Sequence, residues 1–225
     1  LSVKQMISRF SIVDTFSWDP VASNGERLAV IPVTPALAYA ATSGTGVGRQ
    51  LTPLHMVQNL FKYWRGTTKF RFIVNASKFH RGRLALVYTP DSAGATTMAD
   101  EVSAQTYTRI VDISETRDFE IDISWFQQEQ FKETKKSLDA SPSIYHSPTN
   151  NGVVSTPTYY SSECNGVLSI YVVNELTNLN EESITEGEVG ITWGVSGCPD
   201  YIFAEPTHEC LDGMSFSEPT TVNFL

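Results

Sequence analysis

Three stretches of the chain alternate apolar and polar residues with a period of two, the repeat that sends successive strand side chains to opposite faces. In 69–76, Phe70, Phe72, Val74 and Ala76 share one face and the other is mainly polar. In 119–125, Phe119, Ile121, Ile123 and Trp125 alternate with Glu120, Asp122 and Ser124. The third, 189–195, repeats the scheme with Val189, Ile191, Trp193 and Val195. Five further runs, 10–17, 28–33, 83–89, 109–114 and 167–174, alternate less cleanly but still read as strands. Eight strands are predicted, with Trp125 and Trp193 in the core.

One segment has helical spacing instead. Thr52 is an N-cap and Pro53 occupies the first helical position, where its missing N–H is no loss. Leu54, Val57, Leu60, Phe61 and Trp64 then fall on one face, and Gly66 supplies the stop. A helix is expected over 52–65, with Phe61 and Trp64 covering an open end of the sandwich. A second helical turn or two is expected at 98–104.

The connections after the first, third, fifth and seventh strands are short, and those after the second, fourth and sixth are long. In a two-sheet jelly roll alternate connections lie at opposite ends, so one end is tight and the other bulky. The resulting wedge suits packing around symmetry axes. The predicted fold is all-β: an eight-stranded antiparallel jelly-roll sandwich with one or two short helices in the loops. It is expected to form a single domain over 1–225, with an extended outward tail at about 199–225.

Charge narrows the function classes. The 225 residues carry 25 acidic and 16 basic side chains, a net charge of −9, which argues against tight nucleic-acid binding by a folded basic face. No basic arm opens the chain. Lys132, Lys135 and Lys136 form a small basic cluster, read as a solvated loop with RNA or receptor contact as the minor reading. Cys164, Cys198 and Cys210 are too few and scattered for a disulfide framework, which fits synthesis in a reducing compartment. The start lacks a secretory signal pattern. The apolar stretch 28–41 is interrupted by Pro32 and Pro35 and is too short to span a bilayer. The sequon Asn75-Ala76-Ser77 falls inside a predicted strand. Leu1 in place of Met is expected of a chain that is trimmed, cut from a precursor or lacking its start.

Candidate chemistry is thin. His55, His80, His146 and His208 accompany many serines, but no nucleophile elbow or comparable signature joins them. No enzymatic activity, cofactor or metal is expected. His208-Glu209-Cys210 is at most half a zinc site, and Cys198 is too isolated to complete it. Glu181, Glu182, Glu186 and Glu188 are read as a solvated acidic loop before a calcium site at a subunit seam. Gly82, in the short turn before 83–89, is expected to use its freedom at positive φ. Gly190 and Gly194 lie on the outward face of the last strand, where a close backbone approach and a plain bend are both open readings.

An ordered set of motifs gives a resemblance. Phe61-Lys62-Tyr63-Trp64-Arg65-Gly66 runs into the strand 69–76, and Phe79-His80-Arg81-Gly82-Arg83-Leu84 turns into Ala85-Leu86-Val87-Tyr88-Thr89-Pro90. Val111-Asp112-Ile113-Ser114 with 119–125, Gly166 to Asn174, Val195 to Ala204, and the opening Ser8 to Trp18 complete the order. Together they resemble the capsid jelly roll of picorna-like viruses (order Picornavirales), nearest to those of invertebrates and algae. The resemblance covers nearly the whole chain.

That resemblance implies a virion structural protein, made in the host cytoplasm and cut from a polyprotein. It implies a non-enveloped, icosahedral, pseudo-T=3 shell built with two other capsid proteins and further copies of this chain. The shell would enclose viral RNA through weak, non-specific contacts; a host receptor is implied but assigned to no loop. Some relatives carry a cleavage motif of two aspartates and a phenylalanine. Arg117-Asp118-Phe119 and Pro199-Asp200-Tyr201 do not match it, so no cleavage role is carried over. The alternative function is a non-viral jelly-roll module binding carbohydrate or a receptor. A metal-binding enzyme of the cupin type is disfavoured by inward faces of Phe, Ile, Leu and Trp. The connection 126–165 and the tail after Pro199 are expected to contact neighbouring subunits without folding back. Tyr145, Tyr159, Tyr160, Phe216 and Phe224 are the candidate contacts, with Phe203 spaced among polar residues in the same tail.

Overall fold

The computed structural model describes residues 2–43, 46–90, 106–134, 162–178 and 187–208. In chain order the elements are α1 (Val3–Ile7), β1 (Ser11–Trp18), β2 (Arg27–Pro32), β3 (Ala38–Ser43), β4 (Gly46–Leu51), α2 (Pro53–Gln58), β5 (Phe61–Arg65) and β6 (Thr68–Asn75). They continue with β7 (His80–Thr89), β8 (Tyr107–Asp112), β9 (Asp118–Ile123), β10 (Lys132–Glu133), β11 (Val167–Asn178), β12 (Val189–Gly197) and β13 (Ile202–Pro206). The expected helix at 98–104 lies outside the described residues.

All eight predicted strands are present, arranged as two four-stranded antiparallel sheets, β1-β12-β6-β9 and β2-β11-β7-β8. Only β7 and β8 are both consecutive in the chain and neighbours in a sheet; every other connection between these eight strands crosses from one sheet to the other, the Greek-key order of a jelly roll. The core lies between the sheets. Phe16, Phe70, Phe72, Phe119, Ile121 and Trp193 from the first sheet meet Leu84, Leu86, Leu168, Ile170 and Val172 from the second. Phe72 stacks on Phe119 across the β6–β9 pair with ring centroids 5.5 Å apart. The free edges of β8 and β9 are tied together by Arg109, whose guanidinium donates to the Glu120 carbonyl. That contact caps a strand edge that would otherwise be open to further pairing.

Three expectations are corrected. The helix stops after one and a half turns, at Asn59, and Phe61–Arg65 is strand. Thr52 does cap it, accepting from the His55 N–H at 3.1 Å while donating to the Leu37 carbonyl. The apolar spacing through Leu60 and Trp64 mimics a helix, but the aromatic-rich 61–65 has strand composition and gains a pairing partner on each side, so tertiary pairing overrides the local pattern. Trp125 lies beyond β9 and is half-buried, not central.

Gly82 is the third correction. It sits within β7 and is not among the glycines with positive φ. Its requirement is steric: a Cβ there would collide with the Trp18 ring, Cζ2 being 2.9 Å away. At Gly194 the close backbone approach is the reading borne out: a Cβ there would collide with the Ser11 carbonyl oxygen of β1 and would fall 2.6 Å from Cζ of Phe10, just before that strand. Gly190 meets only ordinary contacts. The hairpin β3–β4 begins at the end of the proline-interrupted apolar stretch and adds two strands to the eight expected.

Candidate inter-subunit surfaces

The two long segments expected to reach neighbours share one anchor, β5. It forms the middle of a three-stranded sheet with β10 on one side and β13 on the other. β10 begins the connection that runs from 126 to 165, and β13 is the start of the tail. Lys132 pairs with Trp64 and Glu133 with Tyr63, while Ile202, Phe203 and Ala204 pair with Arg65, Trp64 and Tyr63. The Thr134 N–H donates to the Lys62 carbonyl at 2.9 Å and its hydroxyl to the Phe61 carbonyl at 2.6 Å. The returning chain closes on the same place, since the Glu133 N–H donates to the Ser162 carbonyl at 3.0 Å.

Trp64 is the centre of this junction. It is fully buried, its indole N–H donates to the Glu163 carbonyl at 3.1 Å, and it stacks on Tyr201 with centroids 5.6 Å apart. Trp125 meets it edge-on at 5.2 Å. Tyr201 is in turn held against Gly66, where any Cβ would lie 2.6 Å from the Tyr201 Cα and φ is +151°. Burial pushes the Tyr201 phenol far above its ordinary range, and its hydroxyl sits 3.2 Å from that of Thr68. Beside it, Asp200 accepts from the Thr67 N–H at 3.1 Å and the Thr67 hydroxyl at 2.7 Å. The chain is therefore pinned just before the tail departs.

The tail does not simply leave. Ile202–Pro206 folds back on β5, which corrects that part of the expectation. Phe203 is half-buried, stacking on Phe61 at 5.5 Å, so it does not wait for a neighbour to cover it. Glu205 adopts φ 53° and its carboxylate reaches Lys62 at 3.3 Å, which raises the lysine pKa. Tyr145, Tyr159, Tyr160, Phe216 and Phe224 lie outside the described residues, as do Lys135, Lys136, His146, Glu181, Glu182, Glu186, Glu209 and Cys210. The sequence carries a hint that β5 is a strand, though not that it is a hub. Three aromatics in five residues form a composition more typical of a strand than of the last turn of a helix.

The other candidates have structural surroundings. His80 opens β7, and its Nδ1 accepts from the Ser77 N–H at 3.1 Å and lies 2.8 Å from the Ser77 hydroxyl. His55 is buried on α2, its Nδ1 3.4 Å from the Leu37 carbonyl oxygen. Lys132, expected in a solvated cluster, is buried and paired with Glu129 at 2.8 Å. Among the described residues no group of three or more His, Cys, Asp or Glu is placed to hold a metal ion, and no helix is long and apolar enough to cross a membrane.

The outward face of the first sheet is a charge ladder. Lys69 bridges Glu120 at 2.9 Å and Asp122 at 3.5 Å, and the Arg71 guanidinium pairs with Asp118. The hydrogen bond that Lys69 donates to Glu120 raises the Lys69 pKa, and that donated by Arg71 lowers the Asp118 pKa. Both cations on this face are thus engaged by carboxylates of their own chain.

Comparison with known proteins follows the same lines. A sequence family described as picornavirus capsid protein matches residues 3–121. A chain from the structure of a marine algae virus of the order Picornavirales superposes with a TM-score of 0.80 at 27% identity, covering 96% of this chain and 78% of that one. A chain from deformed wing virus, a honeybee pathogen, gives a TM-score of 0.72 at 18% identity, covering 100% of this chain and 52% of that one, a likeness of fold. The genome polyprotein of deformed wing virus is 22% identical over 152 residues, 66% of this chain. The chain spans only 5% of that polyprotein's length.

Proposed function

Because the chain belongs to the picornavirus capsid protein family, we propose that it tiles a non-enveloped icosahedral shell with two other coat proteins and further copies of itself, released from a polyprotein made in the host cytoplasm. Its role in the capsid is structural, and its place is the virion. The observation that supports the tiling reading best is the β5 junction. A rigid sandwich holds the roots of the 126–165 connection and of the tail on one buried tryptophan, from which both can reach neighbours. Tyr145, Tyr159 and Tyr160 in the first segment, and Phe216 and Phe224 in the second, are the proposed anchors in adjoining subunits.

Hydrogen exchange on free subunits and on intact particles tests this. Amides in 143–162 and 214–224 are expected to gain protection only in particles; equal protection in both states overturns the role given to these segments.

Contact with the enclosed RNA is proposed to be weak. Lys69 and Arg71, on the outward face of the first sheet, are already paired with Glu120, Asp122 and Asp118, so few counterions would be released on binding. Titration of the isolated protein with labelled RNA should show weak binding at moderate salt. Nanomolar affinity with a steep salt dependence would refute it.

A further inference from the structure

An open polar groove crosses the second sheet where β7 begins and β11 ends, away from the β5 junction. The backbone at Gly82 lines it, with that residue's Cβ direction turned away from the groove toward the Trp18 ring. β11 is bulged here, with two register shifts against β7, between Val172 and Asn174 and between Asn174 and Thr177. Bulges re-aim side chains and spread a strand from its partner. They leave Arg81 on one wall and Glu175 on the other, both exposed. Arg83 and Asp112, also in the groove, satisfy each other at 2.9 Å. Arg81 and Glu175 do not: the Thr177 hydroxyl reaches the Arg81 backbone carbonyl at 3.5 Å, not its guanidinium, and neither side chain has an ion pair among the described residues.

We propose that this groove is a contact with a second copy of this chain, Arg81 of each copy meeting Glu175 of a neighbour. One unspent cation and one unspent anion in the same groove are self-complementary, which is what an interface between identical surfaces needs. A guanidinium suits the role, since it can grip a carboxylate through two parallel hydrogen bonds. The chain's net charge of −9 adds a reason: like-charged copies repel, and a local reciprocal pair fixes orientation against that repulsion. The proposal rests on the capsid reading, because it needs copies brought side by side.

The test is a charge exchange during particle assembly, with the full chain co-expressed with its sibling coat proteins and particles quantified by sedimentation. Arg81→Glu alone and Glu175→Arg alone each place like charges together and should lower particle yield about tenfold or more. The double variant, carrying both changes, should restore it. Thermal melts of the free subunits should match the unmodified chain, since both residues are exposed. Single variants that assemble normally overturn the proposal while leaving the capsid reading intact, including the case in which they assemble but lose attachment to cells. Single variants that fail without rescue by the double overturn the choice of partner and point to a different coat protein. If the unmodified chain forms no particles, the capsid reading itself falls.

Discussion

The two sheets of the sandwich share a core but differ on their second faces. The outward face of β1-β12-β6-β9 is polar and wet: Lys69, Arg71, Glu120, Asp122 and Thr192 lie there, and β9 alternates strictly between exposed and buried. The outward face of β2-β11-β7-β8 is dry over β2, the first half of β11 and the second half of β7, while the edge strand β8 and the groove at one end are exposed. β2 is buried at all six positions, β11 at its first six, and β7 from Leu84 to Tyr88. Ala85, Val87 and Tyr171 form a second apolar cluster with Val173 packed on it, on the side away from the main core. Strict alternation therefore reports water on the far face of a strand; where both faces are buried, the sequence becomes a continuous apolar run.

The sharpest way to break that comparison is to put the same charge on each outward face. Val87→Lys buries an ammonium in the second cluster without a partner and should cost about 4 kcal/mol or more. Ile73→Lys places it on the half-buried outward side of β6, opposite Asp118, and should change stability by no more than about 0.5 kcal/mol. Denaturant unfolding of both variants measures the difference. Equal losses would mean the two faces are not distinct.

The same contrast explains what was legible in the sequence. The strands 69–76, 119–125 and 189–195 stood out because all three belong to the first sheet, whose far side meets solvent. The strands 28–33, 83–89 and 167–174 alternate poorly because all three belong to the second sheet, with both sides covered. Strand content and jelly-roll order could be read, as could the cap at Thr52. The β5 junction could not, because Leu60, Phe61 and Trp64 fit a helical stripe as well as a strand, and only the distant partners β10 and β13 decide between them. Gly82 is ambiguous in the sequence for a related reason. A glycine at a turn and a glycine beneath a tryptophan from another strand look alike in one dimension.

A second test sharpens the boundary of the core. Trp193 and Trp125 both continue alternating runs, yet Trp193 lies between the sheets while Trp125 leans on Trp64 from beyond the strand end. Trp193→Ala should cost about 3–5 kcal/mol, and Trp125→Ala about 1–2 kcal/mol, because a half-buried ring loses less surface on removal. An unfolding midpoint shifted equally by the two would place Trp125 in the core after all.

Acid should distinguish a carboxylate at the rim of the second sheet. Hydrogen bonds from Ser114 and Arg83 lower the Asp112 pKa to about 2. A depressed folded-state value stabilises the fold above the unfolded carboxylate range and loses that contribution as pH falls through the folded value. Comparison of Asp112→Asn with the unmodified chain should show a stability gap that narrows between about pH 4 and about pH 2. A gap of constant size across that window would show that Asp112 does not act through its charge.

The smallest expected effect probes the dry face at its driest point. Ser169 pairs in register with Val30 on one side and Val87 on the other, is fully buried, and its hydroxyl has no hydrogen-bond partner. A hydroxyl removed from water without a replacement bond is a net cost to folding, so its deletion should not hurt. Ser169→Ala also leaves almost no cavity, because a single oxygen atom is lost from a site already lined by valines. The melting midpoint of the variant should be unchanged or slightly raised, by no more than about 1 kcal/mol in stability. The polar counterpart on the first sheet is Thr192, whose hydroxyl lies 3.0 Å from that of Thr15 at an exposed position, and Thr192→Ala should leave stability within about 0.5 kcal/mol. A loss above about 1 kcal/mol for Ser169→Ala would mean the hydroxyl is satisfied in solution. The second sheet's outward face would then be wetter than its burial implies, and the contrast between the sheets would weaken where it should be strongest.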